Sequence, residues 1–307
     1  MVGPGAVGPG YGVVRSVLVI NPAAGGGLAA KVAGAVAGHL RAVSRVRVVV
    51  APDAAATSEA AAEAVADGVD VLAVLGGDGV VNLALQSCAR SSTALAVIPA
   101  GTGNDLARAL GVPSNPVLAS RAAAEAMTRG ERRRIDLGRV VGGGWFATVL
   151  CAGFDSMVSA RANRMRWPRG RRRYDLAVLR ELAGLRPMPL RVETASELLE
   201  LDACWVAVGN TAWYGSGIPI CPDADPSDGQ FDVTVVGEVS RRELLRILPG
   251  MCSGDHVRHP AVRTLRAAAV RLGGDNGWFG YADGEPQARL PLGVRCERAA
   301  LEVVGPS

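Results

Sequence analysis

From Arg15 onward the chain repeats one hydrophobic pattern: a short apolar run, a polar glycine-bearing loop, then apolar positions at helical spacing. The runs are SVLVI (16–20), VRVVV (46–50), VLAVL (71–75) and ALAVI (94–98). Such runs, rich in β-branched residues and lacking a polar face, predict strands covered on both sides, as in the parallel sheet of an α/β layer. Between the first two, Leu28, Val32, Val36 and Leu40 recur every four residues and predict one amphipathic helix. Ser58–Ala66, rich in alanine and glutamate, predicts a second helix that stops at Gly68.

After ERRRID (131–136) the alternation fades and strands dominate: WFATVLCAG (145–153), PLRVET (189–194), ACWVAVGN (203–210), FDVTVV (231–236) and AVRTLRAAAVRL (261–272). Two helices interrupt them, YDLAVLREL (174–182) and SRRELLRIL (240–248), the latter opened by Ser240 and Glu243 at capping-box spacing. The pattern predicts a flexible tail over 1–14, a parallel α/β domain over 15–134 and a mostly antiparallel β domain over 135–307.

Composition narrows this picture only a little. At 307 residues, 49% hydrophobic and 20% charged, the chain has material for two packed cores. Only 4% of residues are aromatic, which disfavours a base-stacking surface, and no nucleic-acid partner is expected. The six cysteines, Cys88, Cys151, Cys204, Cys221, Cys252 and Cys296, form no CxxC pair and read as buried free thiols of a reducing compartment. MVGPGAVGPGYG lacks the pattern of a signal peptide, and no apolar run approaches the ~20 residues that span a bilayer, so a cytoplasmic protein is expected.

The chemistry gathers in three loops. NPAAGGG (21–27), GGDGVVN (76–82) and PAGTGND (99–105) each follow a predicted strand. In an open parallel sheet such loops line one edge, where ligands bind. A turn needs one or two glycines; three around Asp78 leave bare backbone that lets a phosphate approach. Thr102 or Asn104 is placed to cap a helix starting at Asp105, whose free N–H groups suit a phosphate; Asp105 itself suits a hydroxyl or a magnesium ion. The chain has no GxxxxGK[ST], no protein-kinase motif set and no GxGxxG after its first strand.

INPAAGGG, GGDGVVN, IPAGTGND, GSGIPICPDADPSDGQFDV and YADGEP, in this order from about residue 15 to 304, resemble the diacylglycerol kinase catalytic-domain family in its bacterial lipid-kinase branch. That group is related to sphingosine and ceramide kinases and shares a fold with NAD kinases and phosphofructokinases. The resemblance implies a nucleotide-binding α/β domain, a β-sandwich lipid-substrate domain, and an active site in the cleft between. It implies ATP and Mg²⁺ as cofactors, held by Asn21, Pro22, Gly25, Gly76, Gly77, Asp78, Gly79, Asn82, Gly101, Thr102, Gly103, Asn104 and Asp105. It assigns the general base to Glu285, or to Asp78 as in the sphingosine-kinase relatives, and a structural magnesium to Asp225, Asp228 and the main chain near Gln230. Asn210 and Gly215–Gly217 match a segment near the lipid side, with a structural part.

Seven arginines lie between Arg161 and Arg173 with Met165, Trp167 and Tyr174 close by, which suits an anionic membrane surface where the lipid substrate resides. Peripheral membrane association is expected, and a homodimer is left open. The chain departs from the family pattern at Val80 and Leu83, and at Ala51 and Pro52 beside the expected adenine site. Two rival readings remain: an NAD-kinase-type enzyme, which shares GGDG but leaves GTGND and DGE unexplained, and a catalytically weakened lipid- or nucleotide-binding relative.

Overall fold

The computed structural model describes residues 13–154, 161, 165, 176, 180, 184, 186–274 and 277–305. The helix expected over 174–182 and nearly all of the Arg161–Arg173 segment lie outside the described residues.

The first domain is the α/β layer expected from the pattern. Strands β1 (Arg15–Ile20), β2 (Arg45–Val50), β3 (Val71–Gly76) and β4 (Ala94–Pro99) are all parallel, in the order β4-β3-β1-β2. β3 and β4 are buried along their whole length, which explains their unbroken apolar sequences. Helices α1 (Ala24–Arg41), α2 (Ala54–Ala66), α3 (Asp78–Cys88), α4 (Asp105–Ala109) and α5 (Pro116–Arg129) surround this sheet. Cores lie on both of its faces, one under α2 and α3 and one under α1 and α5.

Local details differ from the sequence reading, each for a physical reason. α2 begins at Ala54 rather than Ser58, because Asp53 accepts the Ala56 N–H at 2.8 Å and caps the helix there. Leu28 is exposed and follows the non-helical Gly25–Gly27; Val36 and Leu40 carry the buried stripe. α5 was not foreseen, although Asn115 caps it, Pro116 opens it and the left-handed Gly130 ends it.

The second part is β-rich. In chain order it holds β5 (Arg132–Val140), β6 (Trp145–Phe146), β7 (Val149–Gly153), β8 (Met188–Glu193), β9 (Leu198–Gly209), β10 (Trp213–Tyr214), β11 (Ile218–Pro219) and β12 (Phe231–Gly237). Helix α6 (Arg241–Met251) follows, then β13 (Val262–Ala267), β14 (Ala269–Gly273), β15 (Phe279–Ala282), β16 (Glu285–Arg289) and β17 (Leu292–Val304). The stretch 261–272, expected as one strand, breaks at Ala268: β13 pairs with β12, whereas β14 pairs with β8 and β17. Ser240 caps α6 through the Glu243 N–H as the sequence suggested.

β17 joins the two parts. It runs antiparallel to β5, and its end pairs in parallel with β4 at Val303–Leu95. Ala300, Leu301 and Val303 pack into the core beneath α2 and α3. Opposite the irregularity at Ala299, Asp136 is buried and accepts N–H bonds from Ala299 and Gly229, each at 2.6 Å. All six cysteines are free; Cys88, Cys151, Cys204 and Cys221 are buried as expected, whereas Cys252 is exposed and Cys296 partly so. Burial pushes the Cys88 and Cys221 thiols up to about 12, so neither is reactive. Among the described residues, no helix is long and apolar enough to cross a membrane.

Candidate active site

The strand order places the loops after β1, β3 and β4 side by side, and glycine lets them touch. A Cβ on Gly25 would lie 2.3 Å from the Ala100 carbonyl oxygen, one on Gly101 2.5 Å from the Gly77 Cα, and one on Gly103 2.4 Å from an Asp78 oxygen. These glycines are explained by loop-to-loop packing. Gly26, Gly27 and Gly79 are not: a Cβ on any of them would meet nothing within 4 Å. Gly26 and Gly27 have φ of 65° and 93°, while Gly79 lies in the first turn of α3. The open backbone is therefore found at the expected edge, with the exposed Thr102 on the third loop. Asn21 shapes the first loop by accepting the Ala23 N–H at 3.0 Å, and Pro22 beside it is half-buried.

Asp78 and Asp105 are organisers of this edge. Asp78 accepts the N–H groups of Asn104 and Asp105, both at 2.7 Å. The first amides of α4, which the sequence reading left free for a phosphate, are thus taken by a side chain. Asn104 is left-handed and does not cap α4; its amide braces its own loop through Gly101 N–H and C=O at 3.0 and 2.9 Å. Asp105 in turn accepts Ser216 N–H at 3.1 Å and Gly217 N–H at 2.8 Å, joining the third loop to the second domain. Burial raises both carboxyl groups above the usual range. The neighbouring negative charge adds to this, from Asp283 for Asp78 and from Asp78 for Asp105.

Asp283, two residues before Glu285, is a contact the sequence reading missed. Its carboxylate accepts four hydrogen bonds: Thr148 N–H at 2.9 Å, Thr148 Oγ1 at 2.6 Å, Ala147 N–H at 2.9 Å and Asn82 Nδ2 at 3.1 Å. Asn82 thus donates to the second domain. Asp283 and Gly284 have φ of 50° and 84°, so the DGE turn is left-handed and delivers Glu285 to the start of β16. Glu285 is exposed, and among the described residues its carboxylate accepts no hydrogen bond. Gln86, one turn beyond Asn82, accepts the Trp145 N–H at 2.9 Å and donates to the Trp145 carbonyl at 2.8 Å. The visible sequence sign was the four-residue spacing of Asp78, Asn82 and Gln86 on one helix.

The carboxylates of the acidic loop are engaged by neighbouring protein groups. Asp225 accepts from Ser227 N–H at 2.9 Å and Ser227 Oγ at 2.6 Å; Asp228 accepts Gln230 N–H at 2.8 Å and pairs with Arg266. Among the described residues no three acidic, histidine or cysteine side chains converge as a ligand set. Asn210 is fully buried and donates to the Asp136 and Ala147 carbonyls at 2.9 and 2.8 Å, a structural part. Val80 is buried in the core against Gly76, so the hydroxyl absent there would face protein rather than open space. Leu83 is half-buried, Ala51 is buried and Pro52 is exposed.

Two family models cover nearly all of the chain: the diacylglycerol kinase catalytic domain over 15–140, and the YegS C-terminal NAD kinase beta sandwich-like domain over 148–305. A diacylglycerol kinase of Mycobacterium tuberculosis is 44% identical over 293 residues, covering 93% of each chain. A diacylglycerol kinase of Bacillus subtilis is 28% identical over 237 residues, covering 76% of this chain and 77% of that one. A crystal structure of a diacylglycerol kinase from Bacillus anthracis superposes with a TM-score of 0.74 at 19% identity, over 96% of this chain and 98% of that one, and shares its fold. With the glycine loops, the Asp78–Asp105 linkage and the DGE turn all in place, the chain belongs to the diacylglycerol kinase family of two-domain kinases, with a YegS-type β-sandwich as its second domain.

Proposed function

We propose that the protein is an ATP- and Mg²⁺-dependent lipid kinase that transfers the γ-phosphoryl group to the primary hydroxyl of diacylglycerol or a closely similar lipid. The observation that carries this reading is the juxtaposition across the two domains. Open glycine backbone at Gly26, Gly27 and Gly79 stands on one side, and the exposed Glu285, anchored to α3 through Asp283 and Asn82, stands on the other.

The glycine loops receive the triphosphate. Glu285 accepts the proton of the lipid hydroxyl, for which an exposed carboxylate with no hydrogen-bond partner among the described residues is suited. Asp78 is a poorer base, because both of its oxygens already hold backbone N–H groups that define the site. Mg²⁺, when bound, would supply charge neutralisation at the phosphates. Asp78 and Asp105 would hold it, since Mg²⁺ sites in kinases commonly use one or two carboxylates and a cation there would relieve the repulsion between this pair.

The lipid is expected to arrive from a membrane facing the second domain. Arg161 is exposed, and Met165 packs against the cluster beneath α6. On α6 itself the exposed Leu245 lies among the exposed Arg241, Arg242 and Arg246, a face suited to an anionic bilayer.

The test is incubation of the purified protein with γ-labelled ATP, Mg²⁺ and total membrane lipid, followed by chromatographic identification of products. Label in a phosphatidic-acid-type lipid is expected. Label in NADP when NAD is supplied, with no labelled lipid, refutes the reading.

A further inference from the structure

We propose that α3 sets the catalytic register between the two domains, with Asn82 and Gln86 acting as positioning residues for Glu285; the inference rests on the lipid-kinase reading. Asp78, Asn82 and Gln86 are spaced by four and share one face of the helix, covering about 12 Å of rise. Each is hydrogen-bonded to a different part of the site. Asp78 holds the third glycine loop, Asn82 holds Asp283, and Gln86 holds the backbone of Trp145.

The Gln86 contact is specific in form. Its amide satisfies both the N–H and the C=O of Trp145, as a neighbouring strand would, and its Nε2 also donates to Asn82 O at 3.2 Å. The Trp145 ring is flanked by Arg139 at 4.7 Å and Arg90 at 5.9 Å, so this end of the second domain is fixed in orientation as well as in distance. From Trp145 the chain runs through Ala147 and Thr148, whose N–H groups bind the same Asp283 carboxylate that Asn82 holds. Gln86 and Asn82 therefore grip two ends of one short assembly: residues 145–148 and the DGE turn.

Glu285 needs such a support. Among the described residues its carboxylate has no hydrogen-bond partner, so its position follows from the backbone of the turn, and Asp283 fixes that backbone. The same helix holds the loops that face the nucleotide, so one rigid element spaces the base from the phosphate. Misplacement of ~1 Å at a reacting centre lowers turnover by roughly 10²-fold, so loss of either grip is expected to act on the chemical step.

The test uses the full-length enzyme with ATP, Mg²⁺ and dioleoylglycerol in phosphatidylglycerol vesicles. Asn82→Ala and Gln86→Met are each expected to lower kcat by about 10–100-fold while KM for ATP stays within about twofold. Asn82→Asp, which sets a second carboxylate against Asp283, is expected to lose more than Asn82→Ala. Gln86→Glu, isosteric but anionic and without the donor to Trp145 O and Asn82 O, replaces Gln86→Met if that variant fails to fold. An Asn82→Ala enzyme with raised KM for ATP and unchanged kcat would make Asn82 a nucleotide ligand and overturn the proposal, as would wild-type kcat in both single variants. A urea-unfolding cycle of Asn82→Ala and Asp283→Ala needs no substrate. A double variant as stable as Asp283→Ala alone supports the linkage, and additive losses overturn it. If the wild type labels no lipid, the lipid-kinase reading fails by itself and this cycle still judges the linkage.

Discussion

Replacing Gly79 by alanine separates a glycine kept for folding from one kept for a ligand. Gly79 is the second residue of α3, and a Cβ built there meets no atom within 4 Å. Its backbone carries no positive φ, so alanine needs no change of conformation. Inside a helix alanine is more stable than glycine by about 0.5–1 kcal/mol; this early position should give the lower figure, ~0.5 kcal/mol. For a chain of this size that is a rise in Tm of just under ~1 °C. Bound phosphate reverses the sign of the effect on function. A methyl group in its path removes at least one hydrogen bond to a charged group, about 1.5–3 kcal/mol. The dissociation constant for ATP should therefore rise by ~10–150-fold. Scanning calorimetry of the free protein and titration calorimetry with ATP measure the two halves separately. An equal or higher Tm with unchanged ATP affinity would show that the space above Gly79 receives no phosphate, and the assignment of this edge would fall. Gly103→Ala is the control: its Cβ would lie 2.4 Å from Asp78 Oδ2, so it should lower Tm itself.

Three further outcomes are expected. Glu285→Gln should lower kcat by ~10²–10⁴-fold with an unchanged far-ultraviolet spectrum and Tm; turnover near the wild-type value would remove Glu285 from the role of base. Leu245→Asp combined with Arg246→Glu should weaken sedimentation with phosphatidylglycerol vesicles at least tenfold and leave ATP affinity untouched, and equal binding by both proteins would exclude α6 from the membrane face. His256 is buried, its Nε2 lies 3.0 Å from the Ile220 carbonyl, and burial lowers its pKa below the ordinary value of 6.5. The unfolded chain then binds a proton that the folded one refuses as pH falls below about 6.5, so this residue's contribution is present above that pH and lost beneath it. Urea titrations at pH 7 and 5 should show a larger loss for the wild type than for His256→Gln, and parallel losses would contradict the assignment.

The α/β layer was legible because its central strands β3 and β4 are buried on both faces, which leaves no polar positions in VLAVL or ALAVI to obscure them, whereas β2 at the sheet edge is nowhere fully buried. The three loops were legible for a similar reason, since glycine clusters after buried strands have few other uses. The second domain was harder to read. Its strands change partners within a few residues, as at Ala268, and no periodicity records which neighbour a strand will take. α5 had its capping Asn115 and its Pro116 in plain view but only a weak apolar stripe. In the site, residue types were easier to find than their orientation. Asp78 stood out by its surroundings, yet nothing in GGDG tells that both of its oxygens close onto the amides of residues 104 and 105. Asp283 was passed over beside Glu285 because a carboxylate that accepts four donors and one that accepts none look identical in the string YADGEP.

The path of β17 bears on how the molecule is made. Residues 300–303, synthesised about 200 residues after β4, complete a core whose other members come mainly from the first half of the chain. Until those residues arrive, the first half is left with an uncovered apolar seam along β4. Removal of β17 would injure the α/β half as severely as the sandwich, so the two halves are not separable modules that gene fission could divide near residue 140.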